Sequence, residues 1–339
     1  MAKFGIIGAG AWGTALTAIL NRAGHHCVLW AHEREVIDGI AGNGRNPLFL
    51  SDIDLSGVTA TGDLAVATDA DAVLLVTPAQ FLRSLCRQLQ PHWRSDLPAV
   101  ICAKGIETAS FATMSEVVAA ELPAAPLAVL SGPTFAIEVA KGLPTAITLA
   151  CRDRALGLAL VEKIGTQNFR PYLTDDVAGT EMGGAVKNVL AIACGVVEGL
   201  GFGDNGRAAL ITRGLAEMMR LAVAKGARAE TCMGLSGLGD LILTASSQQS
   251  RNYSLGFALG EGKSLDEILA SRRSVTEGVA TAASVTGLAA ALQVEMPICE
   301  AVAGLLYRGC GIEETIHDLL ARPFRGELGS SAGHHPAQP

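Results

Sequence analysis

Residues 3–33 read KFGIIGAGAWGTALTAILNRAGHHCVLWAHE, and the succession of patterns in them decides the fold. KFGIIGA has the composition of a strand, WGTALTAILNRAG carries helical spacing and closes at Gly24, and HCVLWA is a second strand. Between the first strand and the helix lies Gly8-Ala9-Gly10-Ala11-Trp12-Gly13, a GxGxxG. In that setting Gly8 permits the tight turn, Gly10 lets a pyrophosphate approach the backbone, and Gly13 lets helix and sheet pack closely. The free N–H groups and the dipole at the helix start favour a diphosphate. The pattern predicts dinucleotide binding; a glycine-rich turn of an ordinary α/β domain is the plainer alternative. The stretch also imitates a secretion signal, a cation followed by apolar residues. Three glycines at fixed spacing and a second strand directly behind mark it as folded protein.

Further along, DAVLLVTP (71–78), AVICAKG (99–105), LAVLSGP (127–133) and TAITLA (145–150) are short, apolar and end in small or turn residues. Separated by helical stretches, they predict a parallel sheet buried on both faces, with its chemistry at the strands' carboxyl ends. From about Asp176 the character changes. DDVAGTEMGGAVKNVLAIACGVVEGL (175–200), ALITRGLAEMMRLAVAKG (209–226) and TAASVTGLAAALQ (281–293) keep helical spacing. The expectation is an α/β chain with a Rossmann-type doubly wound domain over 1–180, an all-helical substrate domain over 181–325, and a loose tail over 326–339.

The 339 residues suit two domains better than one. Apolar residues make up 49% and charged ones 17%, which excludes a disordered chain. The net charge of −7 without a Lys/Arg run argues against a nucleic-acid surface. No uninterrupted apolar run approaches the roughly 18–20 residues of a bilayer span, so no membrane insertion is expected. Eight cysteines, at 27, 86, 102, 151, 194, 232, 299 and 310, are scattered without CxxC spacing. They read as reduced, mostly buried thiols of a cytoplasmic protein, and no clustered ligand set suggests a metal.

Cofactor choice should be set after the second strand. Glu33 lies 20 residues past Gly13, where an acid can bind ribose hydroxyls, but His32 and Arg34 flank it and Arg34 can accept a 2′-phosphate. The signals conflict, and both NAD and NADP are expected to be usable.

Four segments carry polar groups in apolar or small-residue surroundings. VICAKGIE puts Lys104 at a strand end, and LSGPTFAIE puts Gly132, Thr134 and Ala136 in a turn at another. EMGGAVKNVLAIACG (181–195) places Lys187 and Asn188 inside an apolar helix, and GLSGLGDLILTASSQQSRNYS (234–254) carries Asp240, Thr244, Arg251 and Asn252. Plainer readings exist: Lys104 can snorkel to water, Gly132-Pro133 can be only a turn, Asp240 can cap a helix, and Arg251-Asn252 can be a surface dipeptide. Asp240 and Thr244, four apart, would share a helix face.

GPTFA (132–136), GGAVKNVLAIACGVVEGLGFGDNGRAALITRGLAEM (183–218), GLGDLILT (237–244), QSRNYS (249–254) and SVTEGV (274–279) resemble the bacterial NAD(P)-dependent glycerol-3-phosphate dehydrogenases nearly end to end. The resemblance implies reversible reduction of dihydroxyacetone phosphate to sn-glycerol 3-phosphate, for glycerophospholipid synthesis; the apolar helical half suggests a homodimer. It makes Lys187 the catalytic proton donor and acceptor and Lys104 a second lysine touching substrate and cofactor. Asn188, Asp240 and Thr244 form the polar shell. Arg251 and Asn252 grip the substrate phosphate beside Ser250, with Arg251 also bordering the cofactor. Gly132 and Thr134 contact substrate. Ala136, Trp12, His32, Val275 and Glu277 line the cofactor with the glycine loop. Some relatives carry Ser where this chain has Ala11, so only a backbone contact is expected there. Two lysines can polarise a ketone as zinc does in other dehydrogenases, and no metal is expected. Alternatives are a relative acting on another small hydroxy or keto acid, and a dinucleotide sensor without catalysis.

Overall fold

The computed structural model describes residues 1–272 and 276–322; Val275 and the expected tail over 326–339 lie outside them. Eight strands, β1 (Lys3–Ile7), β2 (His26–Trp30), β3 (Thr59–Thr61), β4 (Ala72–Leu75), β5 (Ala99–Ile101), β6 (Leu127–Ser131), β7 (Thr145–Ala150) and β8 (Phe169–Thr174), form one sheet. Their order is β3-β2-β1-β4-β5-β6-β7-β8, so the strand order reverses between β1 and β4, where an open α/β sheet leaves a crevice for ligands. Along β4, Ala72 and Leu74 join one apolar cluster while Val73 and Leu75 join another. Both faces are thus covered by helices, which is why these strands read as unbroken apolar runs.

The sheet departs from the parallel expectation at one pair: β6 and β7 run antiparallel. The helix between them, Ala136–Ala140, has five residues and rises only about 7 Å. That is too short to carry the chain back along a strand of about 17 Å, so the chain reverses instead. The 11-residue helix Arg154–Ile164 is long enough, and β8 returns parallel to β7.

The helix Val177–Gly199 opens the second half and runs through its centre, buried along nearly its whole length. Asp176 caps it, accepting from Gly179 N–H at 2.9 Å, while its other oxygen accepts from Arg228 N–H at 2.9 Å and the Thr231 hydroxyl at 2.6 Å. The helix Arg251–Gly260 crosses it at backbone distance: a Cβ on Gly195 would lie 2.1 Å from the Tyr253 carbonyl oxygen, and one on Gly256 2.0 Å from that of Ile192. The expectation about uninterrupted apolar runs holds here only because Glu181, Lys187 and Glu198 break the central helix. This 23-residue helix has the length and composition to cross a bilayer. Most of its surface is already covered by protein, and it carries the buried polar residues Glu181, Lys187 and Asn188. All eight cysteines are free, and seven are buried.

Candidate functional site

The glycine loop takes the form its sequence predicts. Gly8 sits at φ +117°, donates its N–H to the Trp30 carbonyl at 3.1 Å, and has no room for a side chain because a Cβ would lie 2.9 Å from the Val76 oxygen. A Cβ on Gly13 would fall 1.8 Å from the Gly8 oxygen, whereas one on Gly10 would meet nothing within 4 Å. The loop is therefore closed towards the sheet and open at Gly10, where a diphosphate needs space. The helix Ala11–Arg22 starts there with no side-chain cap, leaving its first N–H groups for an anion. Trp12 Nε1 is buried without an acceptor, an orphan donor that a bound molecule would satisfy. Trp12 and Ala136 pack against the same apolar cluster, and the helix that Ala136 opens packs on the helix Ala11–Arg22 behind the loop.

Beyond β2, His32, Glu33 and Arg34 are all exposed. Arg34 Nε stands 3.4 Å from both carboxylate oxygens of Asp38, an exposed pair that holds the guanidinium only weakly. The acid and the cation therefore both remain available at this edge.

At the carboxyl ends of β5 and β6 the chain brings distant residues together. Lys104, past the end of β5, donates to the Gly132 carbonyl at 3.0 Å and to Asp240 Oδ2 at 2.7 Å. Lys187, from the central helix, donates to Asp240 Oδ1 at 2.9 Å and to Thr244 Oγ1 at 2.8 Å. The Thr244 hydroxyl donates to Asp240 Oδ1 at 3.2 Å. Asp240 and Thr244 share the short helix Asp240–Thr244, set against the central helix by the π-turn Leu235–Gly239. That turn sits so close that a Cβ on Gly183 would lie 2.5 Å from the Ser236 oxygen. Asp240 is thus a bridge between two lysines and not a helix cap. An ammonium has three N–H donors, so each lysine keeps one unspent, and both converge on the same carboxylate.

Lys187 is 7% exposed and Asp240 1%, and burial governs their charge. Desolvation pulls Lys187 from a free lysine's 10.5 to about 8, against the Asp240 charge that raises it and with Lys104 lowering it further. Burial pushes the Asp240 carboxyl up, but Lys104 and Lys187 together hold it below the usual carboxylate range. Glu277, first residue of the helix Glu277–Ala291, is raised by burial and opposed by Arg251, Lys187 and Lys104. The resemblance brought Lys104, Asp240 and Lys187 into one site and named Glu277 only as a cofactor neighbour; it suggested neither the bridge through one carboxylate nor the closeness of Glu277 to the lysines.

Arg251 opens the helix Arg251–Gly260, and its side chain makes no ion pair among the described residues. Its carbonyl accepts from Arg272 at 2.6 Å. Ser250 caps that helix, its Oγ accepting from Tyr253 N–H at 3.2 Å, which leaves the hydroxyl hydrogen for another acceptor. Asn252 is buried and largely committed: Nδ2 donates to Asn188 Oδ1 at 2.9 Å, and Oδ1 accepts from Gly278 N–H at 2.9 Å. The pair Asn188–Asn252 therefore ties three helices together. Thr134 donates to the Gly132 carbonyl at 3.2 Å, completing the turn at the end of β6. Sequence reasoning also missed Glu181, whose carboxylate accepts from Ser115 N–H and Oγ, each at 2.6 Å, and so pins the central helix to the sheet's flanking helix Met114–Glu121. An apolar neighbourhood gives no sequence signal for such a partner. Among the described residues no group of three or more His, Cys, Asp or Glu side chains is placed to hold a metal ion.

Two family descriptions match the chain: the NAD-dependent glycerol-3-phosphate dehydrogenase N-terminus over residues 3–157 and the C-terminus of the same family over 176–317. A glycerol-3-phosphate dehydrogenase (NAD(P)+) of Rhodospirillum rubrum is 60% identical over 333 residues, 98% of this chain and 95% of that protein. Another, of Paramagnetospirillum magneticum, is 68% identical over 255 residues, 75% of this chain and 93% of that one. The crystal structure of a glycerol-3-phosphate dehydrogenase from Coxiella burnetii superposes with a TM-score of 0.91 at 38% identity, covering 95% of this chain and 99% of the other.

Proposed function

The chain belongs to the NAD-dependent glycerol-3-phosphate dehydrogenase family, and from that premise we propose that Lys187 is the acid–base group of its reaction, with Lys104, Asp240 and Thr244 setting its position and charge. The reaction is the reversible NAD(P)-dependent interconversion of dihydroxyacetone phosphate and sn-glycerol 3-phosphate. The observation that carries the assignment is the shared carboxylate: two lysines, each with one unspent N–H, meet at Asp240 beside the carboxyl ends of β5 and β6.

A bound nicotinamide supplies the hydride for reduction and accepts it in oxidation. The chain's own residues do the rest. As negative charge grows on the ketone oxygen, the Lys187 ammonium stabilises it and delivers a proton; in the reverse direction the neutral amine takes the proton from the alcohol. Lys104, one N–H still free, offers a second donor to the polar end of the substrate. Asp240 keeps both ammoniums in place and Lys187 ionised enough to act as an acid near neutral pH. Arg251, at a helix N-terminus, supplies a planar two-pronged grip for the phosphate dianion, with Ser250 and Asn252 beside it. Binding energy from that remote phosphate orients the ketone. The glycine loop, Trp12, Ala136 and the His32–Arg34 edge hold the dinucleotide, Val275 and Glu277 with them; Gly132 and Thr134 border the substrate.

The same reading includes cofactor handling by residues 1–180, substrate handling by the helical residues 181–325, a homodimer, and a cytoplasmic place supplying glycerophospholipid synthesis. Buried free thiols at seven of eight cysteines suit a reducing compartment.

The test is loss of NADH or NADPH absorbance on adding dihydroxyacetone phosphate, followed across pH in both directions. Because Lys187 titrates at about 8, reduction needs the protonated form and should fall as pH rises through about 8. Oxidation of glycerol 3-phosphate needs the neutral form and should rise over the same interval. Profiles that move together in the two directions would remove Lys187 from the role. Arg251→Ala should raise KM for dihydroxyacetone phosphate by about 10²-fold, as expected for a charge-assisted phosphate contact worth some 2–3 kcal/mol, and at saturating cofactor should harm the weak reaction with unphosphorylated dihydroxyacetone far less. Equal loss on both ketones would contradict a phosphate grip.

A further inference from the structure

One buried polar side chain outside the lysine cluster spends its donors on the glycine loop and the helix that follows it, and its acceptor on its own turn. Asn46 follows the helix Arg34–Asn43 and is 0% exposed. Its Nδ2 donates to the Ala9 carbonyl at 2.8 Å and to Thr14 Oγ1 at 2.8 Å. Its Oδ1 accepts from Leu48 N–H at 3.0 Å and Phe49 N–H at 3.1 Å. A side-chain amide has two N–H donors and two acceptor lone pairs, so nothing of Asn46 is left for a ligand. The Thr14 hydroxyl closes the ring by donating to the Ala9 carbonyl at 3.3 Å.

The geometry has a consequence for the peptide between Ala9 and Gly10. In a planar trans peptide the C=O and the following N–H point in opposite directions. Holding the Ala9 carbonyl towards Asn46 and Thr14 therefore turns the Gly10 N–H the other way. Among the described residues no acceptor takes that N–H, and the side of Gly10 where a Cβ would stand is open. We propose that Asn46 is a positioning residue for the cofactor: through the Ala9 carbonyl it fixes the Ala9–Gly10 peptide so that the Gly10 N–H faces the diphosphate. The proposal rests on the reading that Gly8–Gly13 holds the dinucleotide. Asn46 would act through the loop without touching the cofactor, and the N–H groups of Leu48 and Phe49, donating to its Oδ1, hold its amide in that orientation.

Two variants of the full-length chain separate this role from simple support of the fold. Asn46→Asp keeps an oxygen for the Leu48 and Phe49 amides but sets a second oxygen against the Ala9 carbonyl. Thr14→Val removes the other donor to that carbonyl at nearly constant volume and leaves the 46–49 turn alone. Titration of NADH and NADPH, with steady-state kinetics, should show the cofactor Kd and KM of Asn46→Asp raised about tenfold, the factor that one net hydrogen bond of about 1.4 kcal/mol makes. Thr14→Val should move the same constants in the same direction by about threefold, a smaller share of the same kind of bond. In both, kcat at saturating cofactor and KM for dihydroxyacetone phosphate should stay within about twofold, close to the limit below which an interaction no longer registers. If Asn46→Asp lacks a cooperative melting transition, Thr14→Val carries the test alone. Cofactor affinity unchanged in the folded variants, or loss confined to kcat, would overturn the proposal. Gly10→Val fills the open side of the loop: cofactor binding that survives it would overturn the underlying reading of the loop. Binding lost in Gly10→Val but intact in Asn46→Asp and Thr14→Val would overturn only the role of Asn46.

Discussion

Lys187→Met should cut turnover in both directions by about 10²–10⁴-fold, the range for removing an acid–base group, while NADH and NADPH bind as before. Methionine suits the site sterically, being unbranched, apolar and close in length, and the surrounding helix is buried and apolar. Asp240 keeps Lys104 as its counter-ion at 2.7 Å, so the variant is not left with an unpaired buried carboxylate. A second signature follows from linkage. Lys187 titrates at about 8 in the folded chain and at 10.5 when free. Between those values the unfolded chain holds the extra proton, so wild-type stability gains from rising pH at up to about 1.4 kcal/mol per pH unit. Below about pH 8 both states are protonated and this group contributes no slope. Denaturation curves across pH 8–10 should show that gain in the wild type and its loss in Lys187→Met. Near-normal turnover in the variant would end the assignment of Lys187.

Asp240→Asn should cost at least about 10²-fold in reduction at pH 7, on the scale of a missing general acid. Asp240 accepts from three donors, Lys104, Lys187 and Thr244. An amide has one oxygen for them and turns its own N–H groups towards an ammonium. The charge that raises the Lys187 pKa is lost with the carboxylate, whereas the opposing effects of burial and Lys104 remain. The Lys187 pKa then falls below about 8, less of the amine is protonated at pH 7, and the proposed acid for reduction is depleted. The loss should therefore shrink as the assay is acidified towards pH 6, and the reduction optimum should move down. Oxidation, which uses the neutral amine, should suffer less than reduction at pH 7. A uniform loss at all pH values would mean that Asp240 only holds the structure together; turnover within about fivefold of wild type, less than a lost hydrogen bond to a charged group costs, would remove it from the mechanism.

The parts of the fold legible in the sequence are those dictated locally. The run of strand, GxGxxG, helix and strand over 3–33 became β1, the glycine loop, the helix Ala11–Arg22 and β2, because backbone crowding and apolar period act within a few residues. β3 and β8 are not among the strands the sequence predicts. TAT is only three residues long, and FRPYLT carries a proline that only an edge strand accommodates. Edge positions are where both strands lie. The family resemblance placed Lys104, Asp240 and Lys187 in one site, but their spacing could not say how they meet.

By itself, then, the sequence determined the doubly wound sheet, the switch to helices after Asp176, and the presence of a lysine inside an apolar helix. Tertiary structure decided what that lysine meets. Lys104 and Asp240 are 136 residues apart and Lys187 and Asp240 are 53 apart, and no local preference specifies either meeting. They are set by the glycine-to-backbone contact at Gly183 that seats the π-turn before Asp240, and by the strand ends that present Lys104 beside Gly132. The antiparallel return of β7 and the Asn46 ties to the glycine loop belong to the same class. Each follows from chain length and close packing across the fold, because burying a charged or polar group is tolerable only where distant segments deliver its partners.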